Sequence, residues 1–499
     1  MGVTLLQSIQ EDKRESVNVA MENLPADNLK YYDLGSGLVT NTIGSSMVKW
    51  NMASFMGRIN YNYLGRYLLT VSARYDGSSR LADGHKWVLF PSAALAWRIN
   101  EESFMSSTSG WLDNLKLRLG FGKTGNSAVD PYQTKGTLSL IRYPFDNGGT
   151  PTIGYAPNAM ANSLLTWETT DQWNLGIDFG VLRGRINGTI DLYMQNTHDL
   201  LLKRQLPVVS GFPDVLSNVG KTRNKGIEVS INSMNINSKD FQWTTDLMLS
   251  SNKEEIVELY NGKNDDIGSK WFIGQPVNVH YDYRKVGIWQ NTESDLAEMA
   301  KFAANGTEFA PGDIKIQDVN GDYKITDADK QILGNPRPKL IASMVNTFNY
   351  KGFDLSVFLY VSFVAMLYND IYAVEHCGRN GGVKVDYWTP NNPTNAYPRP
   401  SIDEERPIYI TSTYYEKADF LRVKTMTLGY TLPKTLTNKF LVEKLRVYFT
   451  AQNPFIFTNY TGIDPEAAKV NSAGNPETNG SGFGTPSVSS WIFGINLTL

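Results

Sequence analysis

The stretch from Gln172 to Gln195 shows a period of two in its apolar and polar residues. Trp173, Leu175 and Ile177 alternate with polar or small residues, and the alternation resumes after the turn Val181–Gly184. Successive side chains of a β-strand point to opposite faces, so this pattern predicts two strands joined as a hairpin. One face of the hairpin is apolar and the other is strongly polar. The sequence leaves open whether the apolar face meets a protein core or lipid.

The same alternation recurs along the chain and predicts about fourteen strands, many of them near ten residues long. The remaining segments with this pattern are 55–63, 67–76, 91–99, 115–121, 227–232, 241–250, 341–350, 353–363, 421–430, 445–452 and 487–499.

The predicted connections are of two kinds, very short or very long. The short ones are 64–66, 182–184, 237–239 and 351–352, and the long ones are 123–162, 197–219, 256–339 and 369–417. Loops of more than about 15 residues are uncommon in compact soluble domains. Tight turns at one end and large loops at the other are typical of an antiparallel membrane barrel.

Two further features favour lipid as the environment of the apolar face. Tilted strands of about 9 to 11 residues suit a bilayer, and aromatic residues gather near strand ends as interface girdles do. These aromatic residues include Trp50, Tyr63, Tyr67, Trp97, Trp173, Tyr193, Trp243, Tyr430 and Trp491. We therefore predict an all-β fold built as a transmembrane barrel. A soluble β-sandwich, carbohydrate-binding or hydrolytic, is the alternative that alternation alone leaves open.

Composition narrows the function classes. The 499 residues carry a net charge of −3, and no run of lysine and arginine suggests a nucleic-acid partner. One cysteine, Cys377, excludes an internal disulfide and a cysteine zinc site. The four histidines are scattered without metal-ligand spacing, and no nucleophile–base grouping or acid/base pair stands out. We therefore expect no catalytic residues and no enzyme activity. The longest apolar run, Leu355–Leu367, is too short for a membrane-spanning helix.

The sharpest local motif is DVNGDYKITDAD, residues 318–329, which matches the twelve-residue calcium-loop spacing. Tyr323 stands where the sharp turn of such a loop prefers glycine, and a terminal aspartate replaces the usual glutamate. The motif predicts a calcium site that stiffens a loop, and the alternative is a polar Asn-Gly turn. The predicted ligands are Asp318, Asn320, Asp322, Lys324 through its carbonyl, Thr326 and Asp329.

Several collinear blocks together resemble the SusC/RagA family of TonB-dependent outer-membrane transporters of Bacteroidetes. They include GRINYNYLGRYLLTVSARYDGSSRL at 57–81, WETTDQWNLGIDFG at 167–180, PGDIKIQDVNGDYKITDADKQILGNPRPK at 311–339 and LRVKTMTLGYTLP at 421–433. The resemblance extends over nearly the whole chain. The family usually has glycine at the position of Tyr323, so this chain departs from the pattern there.

The resemblance implies that residues 1–499 are the C-terminal part of a barrel, with about fourteen of 22 strands. The signal peptide, the N-terminal β-sandwich domain and the plug domain of the family are not recognised in the sequence. It further implies import of glycans or peptides across the outer membrane, without catalysis. The implied partners are a SusD-like surface lipoprotein, the TonB complex through the N-terminal part, and membrane lipid. A structural or adhesive barrel that transports nothing is the remaining alternative.

Overall fold

The computed structural model describes residues 1–145, 152–369, 384–401, 407–440, 442–466 and 486–499. Within these ranges, fourteen strands form one antiparallel sheet in which each strand pairs with the next one of the sheet along the chain. This agrees with the predicted strand number. The sheet strands are β1 (Gly2–Glu22), β2 (Val39–Tyr63), β3 (Tyr67–Ser78), β4 (Trp87–Arg98), β5 (Leu112–Asn126), β8 (Glu168–Val181), β9 (Ile186–His198), β12 (Lys221–Asn237), β13 (Phe241–Glu258), β18 (Leu340–Tyr350), β19 (Phe353–Phe363), β22 (Phe420–Thr431), β23 (Lys444–Thr458) and β24 (Ser490–Thr498).

The hairpin predicted from the alternation at 172–195 is confirmed as β8 and β9. Leu175 pairs with Leu192 and Ile177 pairs with Ile190, so the apolar residues share one side of the sheet. We call this side the outer face and the side of Asn174, Asp178 and Asp191 the inner face. On the outer face Leu175 is 42% exposed and Leu192 is 47% exposed. No protein core covers these side chains within the described chain.

The predicted short turns are confirmed, and their backbones explain why they are short. Lys351 and Gly352 both have positive φ, 45° and 91°, between β18 and β19. Two consecutive residues in this region form the tight turn that matches the twist of antiparallel strands. The link after β2 behaves similarly, with φ of 54° at Leu64 and 68° at Gly65. All the tight turns fall at the same end of the sheet, which we call the turn end.

Several strands are much longer than their alternation predicted. β2 was expected over 55–63, but it begins at Val39 and pairs with β1 throughout. β1 was not predicted, because Gln7–Ser16 is rich in polar and charged residues and shows little apolar alternation. Strand pairing needs only backbone hydrogen bonds, so a ladder can extend past the apolar band into water. The periodic pattern therefore marks only the part of each strand that has one apolar face.

The opposite end of the sheet, the loop end, carries the long connections and the remaining elements. A helix, α1 (Glu293–Ala304), lies in the connection 259–339 and was not predicted. A short helix α2 (Lys434–Thr437) lies at the turn end, between β22 and β23. The small hairpins are β6 (Thr137–Tyr143) with β7 (Thr152–Ala159), β10 (Leu201–Gln205) with β11 (Asp214–Asn218), β14 (His280–Tyr283) with β17 (Lys330–Gly334), β15 (Lys285–Ile288) with β16 (Ile314–Ile316), and β20 (Met366–Tyr368) with β21 (Tyr415–Lys417).

The buried apolar core lies in the loops and not against the outer face. One cluster joins Ile288, Ile314 and Ile316 to Trp388 and Tyr414, which come from a different long connection. A second cluster packs Trp289 on Met299 and Phe302 of α1. A protein whose loops hold the core while its sheet exposes leucine and isoleucine must bury that sheet face in something else. This arrangement contradicts the β-sandwich alternative, in which two sheets would cover each other.

Aromatic side chains form two bands on the outer face. Near the loop end, Trp87 stacks on Tyr75 with ring centroids 5.0 Å apart. Near the turn end, Trp97 stacks on Tyr67 at 6.4 Å. Trp87 and Trp97 lie on the same face of β4, ten positions apart, which is about 33 Å along a strand. At a tilt of about 40° this corresponds to about 25 Å of height, the thickness of an apolar membrane band.

No helix in the described ranges is long and apolar enough to cross a membrane.

Candidate functional site

The inner face carries charged side chains that pair with one another across strands. Arg118 on β5 places Nη2 2.8 Å from Asp178 Oδ1 and 3.0 Å from Asp191 Oδ2. Near the turn end, Arg446 Nε donates to Asp354 Oδ1 at 2.9 Å. Arg118, Asp178 and Asp191 come from three neighbouring strands and form one network, and Arg446 with Asp354 forms a second. The charges of these two networks are therefore compensated within the inner face.

At the loop end of the inner face, a segment of the connection after β23 is held by ionic contacts to β22. Arg422 pairs with Asp464, and both side chains are 4% exposed. Lys424 pairs with Glu466, and Arg422 Nε also lies 3.1 Å from Glu466 Oε2. Four charged side chains therefore fix this connection where the barrel wall ends. Spacing in the sequence gave no signal for this cluster, because about forty positions separate its two halves.

The long connections are interlocked by hydrogen bonds as well as by their shared core. Trp388 Nε1 donates to Gln290 Oε1 at 2.8 Å, and the Ile288 N–H donates to Asn395 Oδ1 at 2.9 Å. Arg399 Nε donates to Asp313 Oδ1 at 2.9 Å. Each contact joins the connection 259–339 to the segment 384–401. The aromatic and amide residues of these loops therefore build a rigid layer, which we call the loop layer.

Buried titratable groups lie inside the loop layer. His280 is buried, its Nε2 lies 2.8 Å from the Met366 carbonyl, and its ring packs on Tyr415. Burial lowers the pKa of His280 below its ordinary value. Burial, reinforced by Asp282, raises the pKa of the Tyr415 hydroxyl, which donates to Asp282 Oδ2 at 3.0 Å. Burial also lowers the pKa of Lys285 to about 8. These groups hold the loops together, because each one bonds to a residue of a different segment of the loop layer.

All six predicted calcium ligands lie in one loop of the loop layer. The Asp318 carboxylate accepts the N–H groups of Gly321 at 2.7 Å and Tyr323 at 2.8 Å. The fully buried Asp329 carboxylate accepts those of Val319 at 2.9 Å and Thr326 at 2.8 Å. The side chains of Asp322 and Asn320 also accept loop N–H groups.

The donor chemistry of this loop fits a hard cation, but its carboxylates already have backbone partners. Within the described residues, no group of three or more histidine, cysteine, aspartate or glutamate side chains stands close enough to hold a metal ion. The loop is therefore preformed by its own hydrogen bonds. Calcium binding at this loop stays a prediction.

Tyr323 adopts the left-handed backbone that this turn requires, with φ of 58°. Its ring meets Phe302 of α1 edge to face at 5.5 Å, and Lys301 Nζ lies 5.2 Å above it. A tyrosine at positive φ costs energy that glycine would not. The packing against α1 explains why the position holds an aromatic residue, and it ties the predicted calcium loop to the helix.

The three histidines within the described ranges do not come together in one site. His85, His198 and His280 belong to different connections or strands, which agrees with their scattered positions in the sequence. Cys377 and His376 lie outside the described residues.

Comparison with known proteins identifies the family. The TonB dependent receptor-like, beta-barrel family matches residues 22–454. The chain belongs to this family. It is 31% identical to TonB-dependent receptor P3 of Formosa agariphila, over 98% of this chain and 50% of that receptor. It is 35% identical to TonB-dependent receptor SusC of Bacteroides thetaiotaomicron, over 83% of this chain and 41% of SusC.

A solved structure of the RagAB peptide transporter has the same fold. The TM-score is 0.79 at 23% identity, over 99% of this chain and 53% of the transporter chain. The chain thus spans about half the length of the relatives it matches. The resemblance to the SusC/RagA family is confirmed, and so are the barrel fold and the outer-membrane location. The outer face therefore meets lipid and the inner face lines the barrel interior. The family is one of non-enzymatic receptors, in agreement with the expectation of no catalysis.

Proposed function

We propose that residues 1–499 form the C-terminal part of the barrel of a TonB-dependent importer for glycans or peptides. The observation that carries this proposal is the division of the sheet into an apolar outer face and a charge-paired inner face. An apolar outer face between two aromatic bands anchors the wall in a bilayer. An inner face of compensated ion pairs provides a hydrated surface along which a large polar solute can pass.

The inner face supports passage better than tight binding or chemistry. Arg118 is occupied by Asp178 and Asp191, so its charge is not free to hold a substrate. A solute that passes such a wall exchanges hydrogen bonds with water and polar groups, without a strong single contact. Selectivity then belongs to the loop layer and to partner proteins, not to the strands.

The remaining domains of the transporter are proposed to lie outside this chain. Family relatives are about twice as long as the match, which supports a polypeptide with a plug domain, a segment that contacts TonB and a signal peptide. A plug would cover inner-face side chains that are exposed here, such as Met248, which is 57% exposed. TonB would act through that N-terminal part and supply energy from the inner-membrane proton gradient.

A SusD-like surface lipoprotein is the proposed partner at the loop end. The similarity of this chain to the RagAB peptide transporter and to SusC supports this assignment. The loop layer is rigid through contacts such as Trp388 with Gln290, so it offers a defined surface to a lid. Glycans and peptides remain the two proposed substrate classes.

The test begins with the native polypeptide that carries this sequence, extracted from outer membranes with detergent. Its intact mass is expected to approach twice 55.8 kDa. Labelled oligosaccharides and peptides are then offered to cells that have the intact gene or lack it. Uptake of one class that stops when the proton gradient or TonB is removed supports the proposal. Normal surface presence with no energy-dependent uptake would instead favour an adhesive or structural barrel.

A co-purification experiment tests the proposed lipoprotein partner independently of the barrel. The detergent-extracted polypeptide is expected to co-purify with one surface lipoprotein in a fixed ratio. Loss of that lipoprotein should reduce uptake while the barrel stays in the membrane. Uptake that does not change without any co-purifying lipoprotein would overturn the partner and leave the importer proposal standing.

A further inference from the structure

A cavity of about 480 Å³ lies in the wall just beyond the loop end of β3. Its charged lining consists of Lys49, Lys86, Lys135 and Asp83. Strand β2, the link between β3 and β4, and the segment after β5 supply these residues. We call this cavity the lysine pocket.

The lysine pocket reaches the outer face through Lys49. Lys49 lies on the same side of β2 as Ala53 and Phe55, because the ladder from Thr42 to Tyr63 has no bulge. Phe55 is 47% exposed on the lipid side. Lys86 directly precedes Trp87, so it lies at the level of the aromatic band near the loop end.

The level of the pocket coincides with the edge of the apolar band. On the outer face of β1 and β2, the pair Ile9 and Ala53 is followed by Glu11 with Asn51, and then by Lys13 with Lys49. Ile9 is 74% exposed, as a lipid-facing side chain should be in the isolated chain. The first charged residues beyond it therefore lie at the depth of lipid headgroups.

The pocket is built before any ligand arrives. The Lys49 N–H donates to the Tyr132 hydroxyl at 3.1 Å, and the Asn51 N–H donates to Ser79 Oγ at 2.9 Å. Tyr132 holds a left-handed backbone with φ of 71°. Leu81 and Ala82, which also line the pocket, are almost fully buried. Contacts from three separate segments thus fix its shape.

The charge of the pocket is positive. Three lysines and one aspartate, Asp83, line the pocket, so the charged lining residues carry a net charge of +2. Lys86 Nζ lies 2.5 Å from Asp83, whose side chain is 91% exposed. Lys49 Nζ lies 3.0 Å from Glu11, which does not line the pocket. Both ion pairs are exposed and weak, and an arriving anion can compete with these carboxylates.

We propose that the lysine pocket binds the phosphate group of an outer-leaflet glycolipid. Acyl chains would lie on the exposed rings of Phe55, Tyr75 and Trp87, which form one stack below the pocket. The phosphate above them then meets three lysines at headgroup depth. Basic pockets at this level of a membrane protein recognise anionic lipid headgroups. A solute inside the barrel is separated from the outer side of the pocket by the wall.

The experiment uses the full polypeptide that carries this chain, purified from outer membranes in mild detergent. Native mass spectrometry measures the glycolipid retained by the wild type and by the variant K49Q/K86Q/K135Q. K225Q is the matched control, because Lys225 is exposed on the outer row next to lipid-facing Ile227. Each lysine near an anionic surface changes affinity about fivefold, so the triple variant should lose about a hundredfold.

The phosphate source is tested with two probes. Nanodiscs that contain the phosphorylated glycolipid are compared with nanodiscs that contain its dephosphorylated form, and inorganic phosphate is added as competitor. The proposal requires retention of the phosphorylated lipid only, with little displacement by millimolar phosphate. Displacement by inorganic phosphate alone would overturn the lipid and leave a free-anion site.

Two further results would overturn the proposal that the lysine pocket binds a lipid phosphate. Equal loss in K225Q and in the triple variant would mean general surface charge and would overturn a defined site. Unchanged lipid with impaired uptake of a labelled substrate would assign the lysines to substrate entry, which also overturns the proposal. If the triple variant fails to assemble, K135Q alone is measured, with an expected loss of about fivefold. The result does not depend on which solute the importer carries.

Discussion

Arg422 on β22 and Asp464 in the connection after β23 form an ion pair in which each side chain is only 4% exposed. The Asp464 carboxylate also accepts the N–H groups of Glu466 and Ser487, both at 2.9 Å. Burial alone would raise the pKa of Asp464, but these N–H groups and the Arg422 charge lower it below its ordinary value. One carboxylate therefore joins the barrel wall to both ends of this long connection.

Removal of that carboxylate should release the connection. D464N removes the carboxylate that is buried with Arg422 and leaves Glu466, 3.1 Å from Arg422 Nε, to compensate the guanidinium charge. Breaking a buried pair in this way costs at most about 3–5 kcal/mol. Protease cleavage and hydrogen exchange at 459–466 and 486–489 should increase, while the barrel stays assembled. The double variant R422M/D464N removes both charges and keeps a side-chain oxygen that can accept a backbone N–H group, so we expect it to recover part of the loss. Equal protection in D464N and the wild type would contradict this role.

The Arg422–Asp464 ion pair also determines how the protection of this connection changes with pH. The folded-state pKa of Asp464 is lowered, so its ionised carboxylate stabilises the folded state. This stabilisation is complete above the ordinary carboxyl pKa of 3.8, and it is lost as the pH falls through the lowered pKa. The protection of this connection should therefore persist at mildly acidic pH. Hydrogen exchange at several pH values measures it.

The two faces of β8 should differ sharply in their tolerance of charge. L175R places a guanidinium on the lipid face and should destabilise the barrel by about 2–4 kcal/mol. N174R, the matched control on the next residue, faces the interior and should cost much less. Urea unfolding in lipid vesicles and heat-modified gel mobility measure the difference. Similar stability of the two variants would contradict the assignment of the faces.

His280 should make the loop layer sensitive to acid. Its folded-state pKa is lowered mainly by burial, so the unfolded chain binds the proton more tightly than the folded chain does. The loop layer should therefore be most stable above the ordinary histidine pKa of 6.5 and should lose stability as the pH falls below that value. H280N should flatten this dependence, and H85N, at an exposed histidine, should not. Thermal unfolding of the loop layer between neutral pH and pH 5 measures both.

The loop 318–329 tests the calcium prediction. If the loop binds calcium, the ion should raise the unfolding temperature of the loop layer, and D318N/D322N should abolish that rise. D327N is the control, because the exposed Asp327 pairs with Lys330 and lies outside the predicted ligand set. Calorimetric titration with calcium measures the binding directly. No heat and no thermal shift in the wild type would mean that the polar turn alone explains the motif.

Much of the wall could be predicted from the sequence. Alternation gave the strands, the tight turns and the two faces, because strand geometry repeats every two residues and depends on neighbours in the chain. It underestimated β2 and missed β1, since polar strand segments pair through their backbones and leave no apolar pattern. The spacing of the motif at 318–329 placed the six predicted calcium ligands in one loop, because they lie close together in the sequence.

The tertiary structure alone decided how distant segments meet. The pairing of Arg422 with Asp464, the packing of Trp388 on the strand of Ile288 and the convergence of Lys49, Lys86 and Lys135 have no sequence signature. Each joins positions tens of residues apart, and the chain path that brings them together is set by the whole sheet and its loop layer. The sequence by itself determined what each strand can face. The fold decided which charges meet, because burial and contact depend on position in space.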